Sequence, residues 1–169
     1  IRRYESMYDC NGYRLPTDPE WEYAAKAGTT TNTYNGDITF DSNGGCVDEP
    51  ILNDIAWYCH NTGAIEDNAS PDQIREVGLK QTNPWGLFDM LGNVQEWVDY
   101  RSTGNALGNV ADGETLTDPM GEPWPGGGET RADSRGRAFS DAGCYTRTAW
   151  QMPTISVYRM ANTGFRPVR

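Results

Sequence analysis

The clearest periodic pattern of apolar positions lies in RLPTDPEWEYAAKAG, residues 14–28. Thr17 is a favourable N-cap residue, and Glu20 follows three positions later as in a capping box. Gly28 is typical of a helix C-terminal stop. The apolar residues of this stretch follow the i, i+3, i+4 spacing of a narrow helical stripe; they are Trp21, Ala24 and Ala25. This pattern predicts a helix of about ten residues.

Elsewhere the apolar pattern is short-ranged and favours strands and turns. We predict a short buried strand in ILNDIAWYCHN, residues 51–61, and a second in CYTRTAW, residues 144–150, where apolar and polar residues alternate. NTGFRPVR, residues 162–169, is predicted to be a closing strand. The density of Gly, Pro and Asp across residues 104–136 predicts a long surface excursion. The chain is therefore predicted to be one loop-rich α+β domain, residues 1–169.

Composition and charge narrow the possible partners. The chain is 37% hydrophobic and 22% charged, which is typical of a folded protein. Its net charge of −10 disfavours binding to the phosphates of nucleic acid. No apolar run approaches the roughly 20 residues of a membrane span. We expect neither nucleic-acid binding nor membrane insertion by this segment.

The cysteines and the single histidine restrict the chemistry further. Four cysteines occur without a C-x-x-C pair, which argues against a structural zinc site. A disulfide is possible, and Cys46 with Cys59 closes a short loop, but other pairings and the reduced state stay open. Any histidine-based triad or metal centre would have to use His60, which is more typical of a polar loop residue.

Three long segments carry a family resemblance. GYRLPTDPEWEYAAKAG, NPWGLFDMLGNVQEWVDY and the closing GFRPVR occur in the order found in formylglycine-generating (sulfatase-modifying) domains, and the likeness covers residues 12–169. The resemblance implies a variant of the C-type lectin fold, with short antiparallel strands and few helices. Such domains usually carry an N-terminal third that this sequence lacks. The resemblance thus implies a piece of a longer protein.

The family includes enzymes, and their cysteines do not match here. Its oxygen-dependent members oxidise a sulfatase cysteine with two cysteines spaced five apart, which bind copper and the substrate thiol. Counted from the framework residue Arg147, those positions fall on or near Ala138 and Gly143, and Cys144 is the segment's single cysteine. We therefore expect no thiol-oxidase activity. A copper-dependent oxidoreductase acting on protein cysteine stays the alternative, and the lone His60 argues against iron-dependent chemistry.

The C-terminal segment, residues 135–169, resembles the variable proteins of diversity-generating retroelements. Framework residues such as Arg147, Ala149 and Arg166 keep the family spacing, while the residues between them are mixed. In such proteins this segment forms a diversified binding surface, here rich in aromatic residues and Met, as interface hot spots are. The candidate ligand-binding residues are Asp141, Gly143, Cys144, Tyr145, Thr146, Thr148, Trp150, Met152, Thr154, Ile155, Val157, Tyr158, Met160 and Asn162.

This resemblance implies a receptor-type, non-enzymatic protein whose ligand is a protein or another cell-surface molecule. It also implies export to the bacterial cell surface, with a lipid anchor as one possible attachment through the missing N-terminal portion. Two other interpretations stay open. Some of the aromatic residues can belong to the core, and the chain can be a structural domain of a larger surface protein without a ligand of its own.

The segment DMLGNVQE, residues 89–96, is a candidate metal loop. The resemblance implies a structural Ca²⁺ held by the side chains of Asp89 and Glu96 and the main-chain carbonyls of Gly92 and Val94. Such oxygen ligands suit calcium. A catalytic acid pair is disfavoured because nothing in the sequence supplies a cleft. Flanking apolar residues are predicted core anchors; they are Trp85, Leu87, Trp97 and Val98. No organic cofactor is expected.

Overall fold

The computed structural model describes residues 12–38, 44–64, 70–99, 131–155 and 160–169. Its helices are α1 (Asp18–Lys26), α2 (Pro50–Asn53) and α3 (Cys59–Thr62). Its strands are β1 (Ala56–Trp57), β2 (Leu91–Gly92), β3 (Gln95–Trp97), β4 (Arg131–Arg135), β5 (Met152–Ile155) and β6 (Thr163–Phe165). Short 3₁₀ turns form at Pro71–Gln73 and Gly143–Tyr145. The described residues thus form a loop-rich α+β structure, as predicted.

Helix α1 confirms the prediction from the sequence. The Thr17 hydroxyl accepts a hydrogen bond from the Glu20 amide at 3.3 Å, and the Glu20 carboxylate accepts one from the Thr17 amide at 2.8 Å. The helix ends where Ala27 and Gly28 adopt left-handed backbone conformations. Trp21 and Ala25 are buried against the rest of the core. The capping box fixes the start of the helix, and the apolar stripe fixes which face turns inward.

The described strands form two small sheets. The larger has the strand order β5-β4-β3-β6, and the smaller pairs β1 with β2. Pairs β3–β4 and β4–β5 are antiparallel, whereas β3–β6 and β1–β2 are parallel. The expectation of antiparallel strands is therefore corrected for two of these pairs. Each parallel pair joins strands separated by a long connection, residues 58–90 and 98–162, as a crossover requires.

Two strand predictions and one loop prediction are corrected. Residues 51–61 form α2, β1 and α3 rather than one strand, because Pro50 starts a helical turn and the Asn61 side chain accepts from the Tyr58 amide at 3.0 Å. Residues 144–150 form tight turns, in which Thr146 donates to the Gly143 carbonyl. Residues 131–135, expected in a surface excursion, form β4. The predicted strand in residues 162–169 is confirmed by β6.

The core combines residues from widely separated parts of the chain. Its main cluster includes Trp21, Leu52, Ile55, Tyr58, Met90, Leu91 and Val98. Val98 and the partly buried Leu87 are anchors as predicted, whereas Trp85 is 47% exposed and packs edge-on against Tyr23. Trp97 is half-buried. A Cys46–Cys59 disulfide closes the loop before α2 onto α3. None of the described helices has the length and apolar character needed to cross a membrane.

Candidate recognition surface

Arg135 anchors the candidate recognition segment to helix α1. Its side chain is 1% exposed, and Nη2 donates to the Asp18 carboxylate at 2.5 Å. Nη1 donates to the main-chain carbonyls of Thr148 at 3.1 Å and Trp150 at 3.4 Å. The Gln151 side-chain Nε2 donates to the same Asp18 carboxylate at 2.5 Å. One buried guanidinium therefore ties the turn at residues 148–151 to the N-terminus of α1.

A second arginine organises the start of the segment. Arg137 has a left-handed backbone (φ 63°), and its Nη2 donates to the Asp141 carboxylate at 2.8 Å. The other Asp141 oxygen accepts from the Ala138 amide at 2.6 Å. The Arg137 Nη1 lies 2.6 Å from the Met152 sulfur. Because both charged side chains are more than nine-tenths buried, this ion pair fixes the turn that leads into residues 143–150.

Two aromatic rings and two guanidinium groups form a ladder across the segment, which we call the Arg–aromatic ladder (Arg137, Tyr145, Trp150, Arg147). The rings of Tyr145 and Trp150 are 4.9 Å apart. Arg137 lies 5.4 Å from the Tyr145 ring centroid, and Arg147 lies 5.1 Å from that of Trp150. Each ring therefore has a cation near its face, which stabilises the ring's orientation.

Residues 44–49, which include Cys46 of the disulfide, pack against the turn that carries Tyr145. Gly44 has a left-handed backbone (φ 64°), and a Cβ there would lie 2.8 Å from the Tyr145 hydroxyl oxygen, so a larger residue would require the tyrosine side chain to shift. A Cβ on Gly143 would lie 2.9 Å from Glu49 Cγ, and the Glu49 amide donates to the Tyr58 hydroxyl at 2.8 Å. Loop 44–49 thus packs directly under the turn that carries Tyr145.

The structure divides the predicted ligand-binding residues into groups. Buried positions inside the scaffold are Asp141, Gly143, Cys144, Thr146 and Thr148. Positions with accessible surface are Tyr145, Trp150, Met152, Met160 and Asn162. Thr154 and Ile155 lie in β5, where only the backbone is described, and Val157 and Tyr158 lie outside the described residues. Tyr145 and Trp150 of this group belong to the Arg–aromatic ladder, and Met152 contacts Arg137 at its end, whereas Asn162 adjoins β6 at the other edge of the sheet.

The cysteine arrangement differs from that of a thiol oxidase. Ala138 and Gly143, which occupy or adjoin the enzymes' cysteine positions, are buried. Cys144 is 1% exposed, which also removes it from an accessible ligand-binding surface. A reactive thiolate needs access to solvent and a neighbouring positive charge. Burial of Cys144 removes the first of these conditions.

The predicted calcium-loop residues meet at one open depression of about 580 Å³, which Asp89, Gly92, Val94 and Glu96 all help to line. Glu96 is 7% exposed and accepts hydrogen bonds from Trp21 Nε1 at 2.7 Å and from Arg166 Nε and Nη2 at 3.0 and 2.8 Å. One Asp89 oxygen accepts from the Gly78 amide at 2.7 Å. Among the described residues, no three His, Cys, Asp or Glu side chains form a metal-binding group.

Asp89 and Glu96 bring two carboxylates to one lining, which Gly92 and Val94 share, and carboxylate oxygens are ligands that calcium prefers. The Arg166 guanidinium already binds the Glu96 carboxylate, so it would compete with a metal ion for that ligand. Its Nη2 also donates to the Phe88 carbonyl at 2.9 Å, so its guanidinium links the turn before β2 to Glu96 on β3. An ion that uses Glu96 would have to share this carboxylate with Arg166.

Sequence reasoning missed a buried acid on β4. Asp133 is 0% exposed, and neither oxygen accepts a hydrogen bond within the described part of the chain. Burial raises the pKa of Asp133 to about 6, the Asp18 carboxylate adds to the rise, and Arg135 opposes it. Sequence reasoning also missed the roles of Arg135 and Arg137. The spacing of two residues between them does not reveal these roles, because β4 ends at Arg135, and Gly136 and Arg137 have left-handed backbone conformations.

Comparison with known proteins identifies the scaffold. Treponema denticola variable protein 1 superposes with a TM-score of 0.65 and 29% identity, over 92% of this chain and 47% of that one. The chaperone protein LppX of Paenibacillus barcinonensis is 39% identical over 100 residues, 52% of this chain and 31% of that protein. The formylglycine-generating enzyme of Mycobacterium tuberculosis is 41% identical over 88 residues, 52% of this chain and 27% of that enzyme.

The chain therefore spans less than a third of the length of these two curated relatives. Its fold is that of the formylglycine-generating, C-type lectin-like proteins. A family model described as the sulfatase-modifying factor enzyme 1-like domain matches residues 3–169, almost the whole chain. This protein belongs to the sulfatase-modifying factor enzyme 1-like family.

Proposed function

We propose that this protein is a non-enzymatic, receptor-type binding protein whose C-terminal segment displays the recognition surface. The observation that carries the proposal is the half-buried Tyr145–Trp150 pair, held by two guanidinium groups and by the disulfide-closed loop. Rigid aromatic side chains give contact area at low entropic cost. The 29% identity to a variable protein supports the same interpretation.

The proposed ligand is a protein or another molecule on a cell surface. The protein itself is proposed to be exported and displayed on the bacterial cell surface. The Cys46–Cys59 disulfide supports export, because structural disulfides persist in oxidising compartments. Attachment by a lipid anchor outside this segment belongs to the same proposal.

The first prediction concerns the aromatic pair. Replacing Tyr145 and Trp150 together with alanine is expected to weaken binding about thirtyfold or more, since even one hot-spot aromatic residue carries ~2 kcal/mol or more. The probe is a set of peptides selected from a phage-displayed random library on the immobilised wild-type protein. Binding of these phages to wild type and variant is then compared by titration.

A matched control is available on another face. Tyr23 and Trp85 are also partly exposed, and their ring centroids are likewise 4.9 Å apart. Their double alanine variant is expected to bind the selected phages within about twofold of wild type. Equal losses in both variants, or no loss at Tyr145 and Trp150, would count against a recognition surface at the ladder.

A thiol oxidase is the second candidate, favoured by the 41% identity to a formylglycine-generating enzyme. The proposal of a non-enzymatic protein expects no oxidation of a cysteine-containing peptide by the copper-treated chain under oxygen. Turnover that disappears in the Cys144→Ser variant would overturn it. Wild-type protein treated with a copper chelator supplies the baseline.

We also propose that a structural Ca²⁺ binds the depression through Asp89, Glu96 and the carbonyls of Gly92 and Val94. Calcium is then expected to raise the free energy of unfolding, by about 2.7 kcal/mol at a hundredfold excess over its Kd. Thermal unfolding with added calcium or with a chelator measures this increment. Glu96→Gln should abolish the increment, and the exposed Glu76→Gln should retain it. An equal increment in both variants would contradict the site.

A further inference from the structure

The Cys46–Cys59 disulfide has one accessible end and one buried end. Cys46 is exposed, whereas Cys59 is 2% exposed and belongs to the main core cluster. A thiol in solution can therefore reach the disulfide from the Cys46 side. Exposed disulfides are more readily reduced than buried ones, and the labile and regulatory disulfides of proteins come from the exposed class.

The loop that carries Cys46 has few other attachments to the fold. Within the described ranges, no hydrogen bond between main-chain groups joins residues 44–48 to another segment. The Asp48 carboxylate accepts from the Asn53 side-chain Nδ2 at 2.7 Å and lies 3.6 Å from His60 Nε2, and both contacts are exposed to solvent. Because exposed contacts of this kind contribute little stability, the disulfide is the main attachment of residues 44–48 to helix α3.

Residues on both sides of Cys46 contact the turn that carries Tyr145. The Tyr145 hydroxyl lies so close to Gly44 that a Cβ there would be 2.8 Å from it. Glu49 is packed against Gly143 just as closely, since a Cβ on Gly143 would lie 2.9 Å from Glu49 Cγ. The position of loop 44–49 therefore limits where the Tyr145 side chain can lie.

The Cys59 end of the disulfide contacts the same recognition segment. The Cys59 amide donates to the Asp141 carbonyl at 3.1 Å. The Asp141 carboxylate in turn accepts from Arg137, one of the two cations of the Arg–aromatic ladder. The disulfide thus cross-links two pieces of the scaffold that each support the recognition surface.

We propose that the Cys46–Cys59 disulfide is a redox switch for the recognition surface. The oxidised form holds Tyr145 and Trp150 in place for a ligand, and reduction by a dithiol lowers the affinity. This inference rests on the proposed recognition function and adds its regulation. A surface that is ordered before binding loses less conformational entropy when the ligand arrives. Reduction removes the cross-link, so loop 44–49 gains freedom and part of this ordering cost falls on the binding step.

The reduction transfers two electrons and two protons to the protein. A thiolate of the dithiol attacks the sulfur of Cys46, the S–S bond breaks, and Cys59 leaves and takes up a proton. The second thiol of the reductant then attacks the mixed disulfide and releases Cys46 as a thiol. The reductant ends as its own disulfide, and the protein carries two thiols. An added disulfide such as oxidised glutathione reverses the exchange.

The test uses dithiothreitol as the dithiol, and its binding probes are phage-displayed peptides without cysteine, selected on the oxidised wild type. Reduction is expected to weaken binding about tenfold, and reoxidation should restore it. The Cys46→Ser, Cys59→Ser double variant should bind as weakly as the reduced wild type and should not respond to dithiothreitol. The matched control is Cys144→Ser, which removes a cysteine outside the disulfide and should keep the full response.

Hydrogen exchange distinguishes a local switch from a loss of the whole fold. On reduction, amide exchange is expected to rise in residues 44–49 and 143–150 and to stay unchanged in helix α1. An equal rise in α1 would show that the disulfide holds the entire fold, and the switch would be overturned.

The binding outcomes separate this inference from the proposed function. A disulfide that resists dithiothreitol in the folded protein, or equal affinity in the two redox states, would overturn the switch. If the Tyr145 and Trp150 double alanine variant loses binding while reduction changes nothing, the recognition surface stands and its redox control fails. If the double alanine variant binds every probe as wild type does, the proposed function itself fails.

Discussion

Replacing Arg135 with methionine is expected to lower the free energy of unfolding by about 3–5 kcal/mol, because it leaves the Asp18 carboxylate charged, buried and without its main partner. Both side chains are 1% exposed. The variant also removes the donors that hold the Thr148 and Trp150 carbonyls. Denaturant unfolding under non-reducing conditions measures the loss.

Two further variants separate the contribution of the Arg135 charge from that of its planar guanidinium geometry. Arg135→Lys keeps the charge but lacks the planar fork, so we expect an intermediate loss. The Asp18→Asn, Arg135→Met double variant removes both charges, and its loss should be smaller than the sum of the two single losses. Additive losses, or a loss below about 1 kcal/mol in Arg135→Met, would show that the pair is not a coupled anchor.

Replacing Asp133 with asparagine is expected to stabilise the protein at neutral pH by roughly 1–3 kcal/mol. The folded-state pKa of about 6 lies above the ordinary aspartate value of 3.8. As pH rises from about 4 to about 6, the unfolded chain has lost this proton while the folded chain still holds it. The stability of the wild type therefore falls across this window, and the penalty is fully present above it.

The pH dependence gives the sharper measurement for Asp133. The decline in unfolding free energy between about pH 4 and pH 6 should be smaller in Asp133→Asn than in wild type. The control is Asp48→Asn, because the Asp48 side chain is 54% exposed and its removal should leave the decline unchanged. A decline that is identical in all three proteins would refute a buried, charged Asp133. If Asp133→Asn is no more stable than wild type at pH 7, that result would also contradict a buried, charged Asp133.

Some features follow from short stretches of sequence. Helix α1 was predicted because its cap, its apolar stripe and its stop are all local signals, and each interaction joins residues within one or two turns. Strand β6 was predicted for a similar reason. Residues 51–61 were misjudged because a short apolar run does not distinguish a strand from helical turns, and Pro50 and Asn61 decided between them.

The candidate site also combines features that the sequence predicted with features that depend on the tertiary structure. The sequence identified the aromatic residues of the C-terminal segment and placed the four proposed calcium ligands within residues 89–96. It did not show that Thr146 and Thr148 are buried while Tyr145 and Trp150 keep accessible surface, because residues 144–150 turn instead of alternating. Nor did it show Glu96 paired with Arg166, since 70 residues separate them.

The sequence by itself determined the family, the helix α1 and the closing strand. These depend on residue identity and on spacing within short segments. Only the tertiary structure decided which aromatic side chains face outward and where each charge finds its partner. Arg135 contacts Asp18 across 117 positions, and no donor among the described residues reaches the Asp133 carboxylate, because burial and ion pairing depend on which distant segments the fold brings together.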